Sequence, residues 1–222
     1  MGLFAGGAAS LLAGCGLLGG NSYRFKMTVE VDTPQGLRTG SSVYEVTAFK
    51  TSELITGGSS SDSILKGEAL AVDLPGGQTL FALLKTVNPM REDLALMSMA
   101  ALDPAFRNDR TESTKRIASG NGVRSPSEVN RSDYPLLVTF RDLDDPETVE
   151  RVADPSNLAA TFGPGYALRQ ITVQVTNEPV TSGILRKLPW LPNVYDMLRG
   201  KDFRPKGIPL GNFKGLFSTE LS

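Results

Sequence analysis

The chain has 222 residues, a formal net charge of −1, and 40% hydrophobic and 21% charged residues, values of a globular chain large enough to fold without disulfide or metal staples. It contains no histidine and a single cysteine, which excludes Ser-His-Asp and Cys-His catalysis and the usual zinc ligand sets. The balanced charge supplies no concentrated basic surface for nucleic acid, and no cofactor is expected.

No charged side chain occurs between Met1 and Ser22. Leu3, Phe4, Ala5, Ala8, Ala9, Leu11, Leu12 and Ala13 form a short apolar stretch that runs into Leu12-Ala13-Gly14-Cys15. An aliphatic residue, two small residues and a cysteine resemble a bacterial lipobox. The resemblance implies a signal peptide over 1–14, cleavage before Cys15, lipidation of Cys15, and a tether over 15–22. Two acyl chains suffice for stable anchoring, because each buried methylene adds about 0.8 kcal/mol. Gly16, in place of Asp, resembles the outer-membrane-sorted class. The expected location is therefore the cell envelope, lipid-anchored at the outer membrane and facing the periplasm. Signal peptides ordinarily open with Lys or Arg; only the Met1 amine is positive here, which fits a natural start upstream. Two alternatives compete. A membrane helix needs about 20 uncharged residues, but seven glycines in the first twenty oppose it at about 1 kcal/mol each. An incidental cysteine in a flexible start is the other.

Residues 23–222 read as one mostly β domain. Tyr23, Phe25, Met27, Val29 and Val31 alternate with polar residues, the period of a half-buried strand. Thr33-Pro34-Gln35-Gly36 is a turn, and Val43–Phe49 alternates again, so Tyr23–Phe49 is an expected antiparallel hairpin. Thr56–Ser63 reads as a Gly/Ser loop. Gly67–Leu74 and Gln78–Lys85 form a second expected hairpin about Pro75-Gly76-Gly77. Met90–Leu102 has helical spacing and stops at Asp103-Pro104. The stretch 104–133 is polar and turn-rich, a surface excursion, a loop or a weak helix; Arg107, Arg110, Lys115, Arg116 and Arg124 collect in it. Leu136–Phe140 is an apolar strand. Asp145-Pro146 and Asp154-Pro155 each carry the signature of a helix start, with Gly163 ending the second helix. Tyr166–Thr176 is the last clear strand. An irregular tail rich in Pro and Gly follows, centred on Leu188-Pro189-Trp190-Leu191-Pro192. The expected fold class is α+β, mainly antiparallel β, a sandwich or curled sheet with short inserted helices.

Candidate sites are few. Asp142, Asp144, Asp145 and Glu147 could place carboxylates around calcium, although the spacing is not that of an EF-hand, and the favoured reading, helix capping in a solvated loop, explains Asp145 and Glu147 without a metal. Asp73, Glu92, Asp93 and Asp103 could supply an acid–base pair, for which separation is decisive. Gly163-Pro164-Gly165 lacks the Lys-Ser/Thr ending of a phosphate loop and suits a turn. Trp190, Leu191 and Tyr195 are the candidate partner contact, since interfaces favour aromatic anchors; the alternative is that Trp190 folds back onto the core.

The blocks Tyr23–Val29, Thr33–Val46, Pro135–Phe140 and Asn157–Gly165 resemble an uncharacterised family of conserved proteobacterial proteins. That resemblance carries over no activity, ligand or catalytic residue. The expected function is a lipid-anchored extracytoplasmic binding or structural module, partnered with the membrane through its anchor and with an envelope protein. A periplasmic carboxylate-dependent enzyme acting on glycan, or a subunit of an envelope or surface assembly, is the alternative.

Overall fold

A computed structural model describes residues 21–51 and 60–222. Cys15, the signal-peptide segment and most of the tether lie outside the described residues. The expected hairpin is present: β1 (Ser22–Thr33) pairs antiparallel with β2 (Gly36–Thr51). In the connecting turn the Thr33 hydroxyl donates to Gly36 O at 2.7 Å, and Gly36 takes a φ of 100° that suits glycine. Every odd residue of β1 from Tyr23 to Val31 is buried. The opposite face carries surface pairs such as Arg24–Glu45 at 2.7 Å and Lys26–Glu178 at 2.8 Å.

β3 (Ser60–Lys66) lies on the outer side of β2. Ser60 to Ser63 are therefore strand rather than loop; the rest of that expected loop falls outside the described residues. β4 (Leu70–Asp73) and β5 (Thr79–Thr86) form the second expected hairpin. Helix α1 (Leu94–Leu102) starts where the Asp93 carboxylate accepts the Leu96 N–H at 2.8 Å, four residues later than the apolar spacing suggests. It stops at Asp103, before Pro104.

The polar stretch 104–133 contains helix α2 (Arg110–Ala118) and strand β6 (Ser127–Glu128). α2 is docked, with Thr111, Ser113, Thr114 and Ile117 buried, so this part is not a surface excursion. β7 (Pro135–Phe140) leads to a single 3₁₀ turn at Pro146–Thr148 and to β8 (Val149–Arg151). Asp145 caps that turn, accepting the Glu147 N–H at 2.9 Å. Asp154 instead closes a turn onto Ser156, and helix α3 (Ala159–Phe162) starts without a side-chain cap, ending at Gly163. β9 (Ala167–Val175) completes the strands.

The first sheet has the order β3-β2-β1-β9-β6 and the second β4-β5-β7-β8, every described pairing antiparallel. The fold is α+β and sandwich-like. One core lies between the sheets and under α1 and α2: Phe25, Met27, Val29, Leu80, Leu94 and Leu137 meet there. The second sheet is apolar on both faces. Leu80, Ala82 and Leu84 point into the first core, whereas Phe81 and Leu83 point outward with Leu136, Val138 and Phe140. The tail covers this outward face with Ile184, Leu188, Trp190, Ile208, Phe213 and Phe217. Helix α4 (Val194–Met197) sits within it.

The sheets approach each other closely at Gly40, which pairs with Val29. A Cβ there would lie 2.4 Å from Ala71 O and 2.9 Å from Val72 Cγ2. Backbone cannot yield as a side chain does, so Gly40→Ala should lower stability by about 1–3 kcal/mol, read as a lower urea midpoint. Gly211→Ala, where a Cβ meets nothing within 4 Å, should shift stability by no more than about 0.5 kcal/mol.

Candidate functional site

A cleft of about 480 Å³ opens between the Gly76–Gln78 turn and β7 and β8. Phe140 and Phe162 line it together with Thr139, Arg141, Asp142 and Glu150. Gly76 and Gly77 have φ values of 77° and 78°, which lets the turn fold sharply at the rim. The cleft lies at the end of the sandwich that holds the β1–β2 turn. Tyr166 donates to Pro75 O at 3.4 Å, and Pro34 Cγ sits 2.9 Å from a Cβ built on Gly165. Arg141 pairs with Glu150 at 2.8 Å, and the Thr139 hydroxyl donates to Thr79 O at 2.9 Å. An ion pair, the Gln78 amide and the Thr161 hydroxyl over an aromatic wall can hold a polar ligand through hydrogen bonds and apolar contact.

Of the acidic cluster, Asp142 lines this cleft. Asp142 Oδ1 accepts the Asp144 N–H at 2.9 Å, Asp145 caps the following turn, and Glu147 pairs with Lys201. Each of these three carboxylates serves a local contact, and among the described residues no group of three or more Asp, Glu, His or Cys side chains is placed to hold a metal ion. The four carboxylates considered as an acid–base pair are held by different partners. Asp73 binds Lys187 at 2.5 Å, Glu92 meets Lys85 at 3.4 Å, Asp93 caps α1, and Asp103 binds Arg116 at 2.7 Å. Gly163-Pro164-Gly165 is the turn that leads into β9.

Trp190 and Leu191 are not a free contact surface. Trp190 is 8% exposed and Leu191 is fully buried. The indole N–H donates to Leu143 O at 2.6 Å, and its ring meets Phe140 edge-on at 5.6 Å between centroids. The prolines turn the chain so that the indole folds back onto the second sheet. Tyr195 stays exposed, with the Lys214 ammonium 5.3 Å from its ring centroid.

The basic residues of 104–133 are largely committed. Arg110 binds Asp62 at 2.8 Å, Lys115 binds Glu112 at 3.0 Å, Arg116 binds Asp103, and Arg107 donates to Phe106 O at 2.8 Å. Three buried polar anchors were not visible from spacing. Asp103 lies under Arg116; Asp133 is gripped by Arg91 and by Asn88 Nδ2 at 2.5 Å; Glu68 Oε2 accepts the Ile184 N–H at 2.8 Å. Only one sequence signal bears on them. Asp109 with Glu112 three residues on is a helix-start pattern, and Asp109 does cap α2, which carries Arg116. No protein-family profile matches the chain, and no curated protein or solved structure matches it.

Burial disfavours the charged form of Asp103, but hydrogen bonds from Arg116 and from the Ala105 N–H outweigh it and hold the carboxyl below its ordinary range. A depressed folded value means stability that is present at neutral pH and lost as acid protonates the group. In Asp103→Asn, stability at pH 7 should fall, and the decline below about pH 4 should flatten relative to wild type. Arg116→Met, which leaves Asp103 uncompensated, should cost at least about 2 kcal/mol. Trp190 is the only tryptophan, so native emission should be blue-shifted. Trp190→Ala should cost about 3–5 kcal/mol in denaturant titrations.

Proposed function

We propose that the chain is a lipid-tethered module of the cell envelope, anchored at the outer membrane, facing the periplasm, and acting by binding a partner or ligand rather than by catalysis. The observation that carries this reading is Leu12-Ala13-Gly14-Cys15, which ends seven residues before the first strand begins at Ser22. Eight residues from Cys15 to Ser22 reach at most about 25 Å when extended, so the anchor would hold the domain close to the bilayer by one end. That end is where the Tyr23 hydroxyl bonds the Ser98 hydroxyl at 2.7 Å on α1. β1 runs twelve residues from there to the Thr33–Gly36 turn, where the cleft lies. A tether at one end and a cleft at the other would present the cleft away from the membrane. Among the described residues no helix is long and apolar enough to cross a membrane, so in this reading attachment rests on the acyl chains at Cys15.

The test is made on the full chain expressed in a Gram-negative host fed an alkyne analogue of palmitate. Label should enter the wild type and not Cys15→Ser, and mass spectrometry should find the first 14 residues removed from the labelled protein. A chain that keeps its leader and a bare thiol overturns the reading.

A further inference from the structure

Among the described strands, β3 is an edge of the first sheet. A seven-residue edge offers main-chain donors and acceptors to any second strand. Its outward face carries Asp62, Ile64 and Lys66, and Ile64 is 61% exposed. This triplet is self-complementary. An antiparallel copy centred on Ile64 sets Ile64 against its own twin and places Asp62 opposite Lys66 on both sides of the twofold axis. Opposite charges facing each other across strands are favourable, as like charges are not. Centring on Asp62 or on Lys66 instead would set two identical charges face to face.

The same edge is clamped from within the chain. Asp62 Oδ1 accepts the Ser63 N–H at 2.7 Å, which occupies a donor that edge pairing needs. Arg110, the first residue of α2, then fixes that carboxylate: Nη1 lies 2.8 Å from Asp62 Oδ1 and 3.0 Å from Ser63 Oγ. The Arg110 N–H donates to Ser61 Oγ at 2.8 Å, which locks the helix start to the strand. With Asp62 drawn onto Ser63 and Arg110, it is withheld from Lys66 of another molecule.

We infer that β3 is a strand-pairing surface for a second copy of this chain, in register about Ile64, and that the Arg110–Asp62–Ser63 clamp keeps it closed. Removing the guanidinium releases Asp62 and Ser63 together, and the edge becomes available as a twofold interface. The inference is independent of the lipid anchor.

The test uses the full chain with Cys15→Ser throughout, so that an introduced cysteine is the sole thiol. Single cysteines replace Asp62, Ile64 or Lys66, each with and without Arg110→Ala, and purified protein is oxidised with copper phenanthroline. Twin Ile64→Cys residues face each other within disulfide reach, whereas twins at 62 or 66 are separated by four strand positions, about 13 Å. Disulfide-linked dimer should rise at least about tenfold on adding Arg110→Ala to Ile64→Cys, with no such rise at 62 or 66. A thermal melt confirms that Arg110→Ala is folded. Equal crosslinking with the clamp intact overturns the gate, and crosslinking at 62 or 66 overturns the register. If folded Arg110→Ala, Ile64→Cys protein forms no dimer, the pairing surface is overturned.

Discussion

A strand pair that is apolar on both faces has to be covered twice, and β5 with β7 is such a pair. Thr79–Leu84 and Pro135–Phe140 are buried without interruption, so polar alternation, the usual mark of a sheet with one wet face, is missing from them. The first sheet covers one side with β-branched and aromatic residues at every second position. Among the described residues the other side has no partner sheet. It is covered by the irregular segment from Ile184 to Phe217, whose turns and 3₁₀ pieces bring Leu188, Trp190, Phe213 and Phe217 down onto Phe81 and Phe140. The prolines that keep helices in this segment short also let it follow the sheet surface.

Buried charge is used sparingly and always in company. Asp103 and Asp133 are each nearly inaccessible, and each is bonded to an arginine whose side chain still reaches water. Such pairs tie segments together across gaps where apolar packing alone would leave backbone polar groups unmet. Glu68 does the same for the tail, where its carboxylate accepts the Ile184 N–H and the hydroxyl of Ser42 bonds its carbonyl at 3.1 Å. The cores therefore set the layering, and these few ionic contacts set where the loops cross.

Much of the architecture was legible where one local signal dominates. The alternation from Tyr23 to Val31, the turn residues at Thr33–Gly36 and Pro75–Gly77, and the uninterrupted apolar run at Leu136–Phe140 each admit one conformation. Legibility failed where the decisive contact is distant. Arg110–Ala118 looks polar because its buried face is made of Thr and Ser rather than Leu, so its docking shows only once Ile117 and its threonines meet α1 and β1–β3. Trp190 reads as core plug or as interface anchor, the plug being the favoured reading, and the choice depends on an outward face of Phe81 and Phe140 that a sequence cannot reveal. The acidic run 142–147 could be read as ligands or caps, and the local turn geometry, with Asp145 accepting the Glu147 N–H, shows the capping use. Cys15 lies outside the described residues, so the structure bears on its reading in neither direction.

The placement of β1 has a consequence for the order of folding. Its neighbours are β2, immediately next in the chain, and β9, whose Val175 pairs with Phe25, some 150 positions later. A central strand that waits for so distant a partner gives the chain a high contact order, which slows the folding search. During synthesis the β1–β2 hairpin lacks β9 on the other side of β1, and the β5–β7 pair lacks its outer cover until the region around Phe213 is made. A nascent chain of this design leaves two apolar surfaces uncovered for most of its elongation, and both close only when the last strand and the tail arrive.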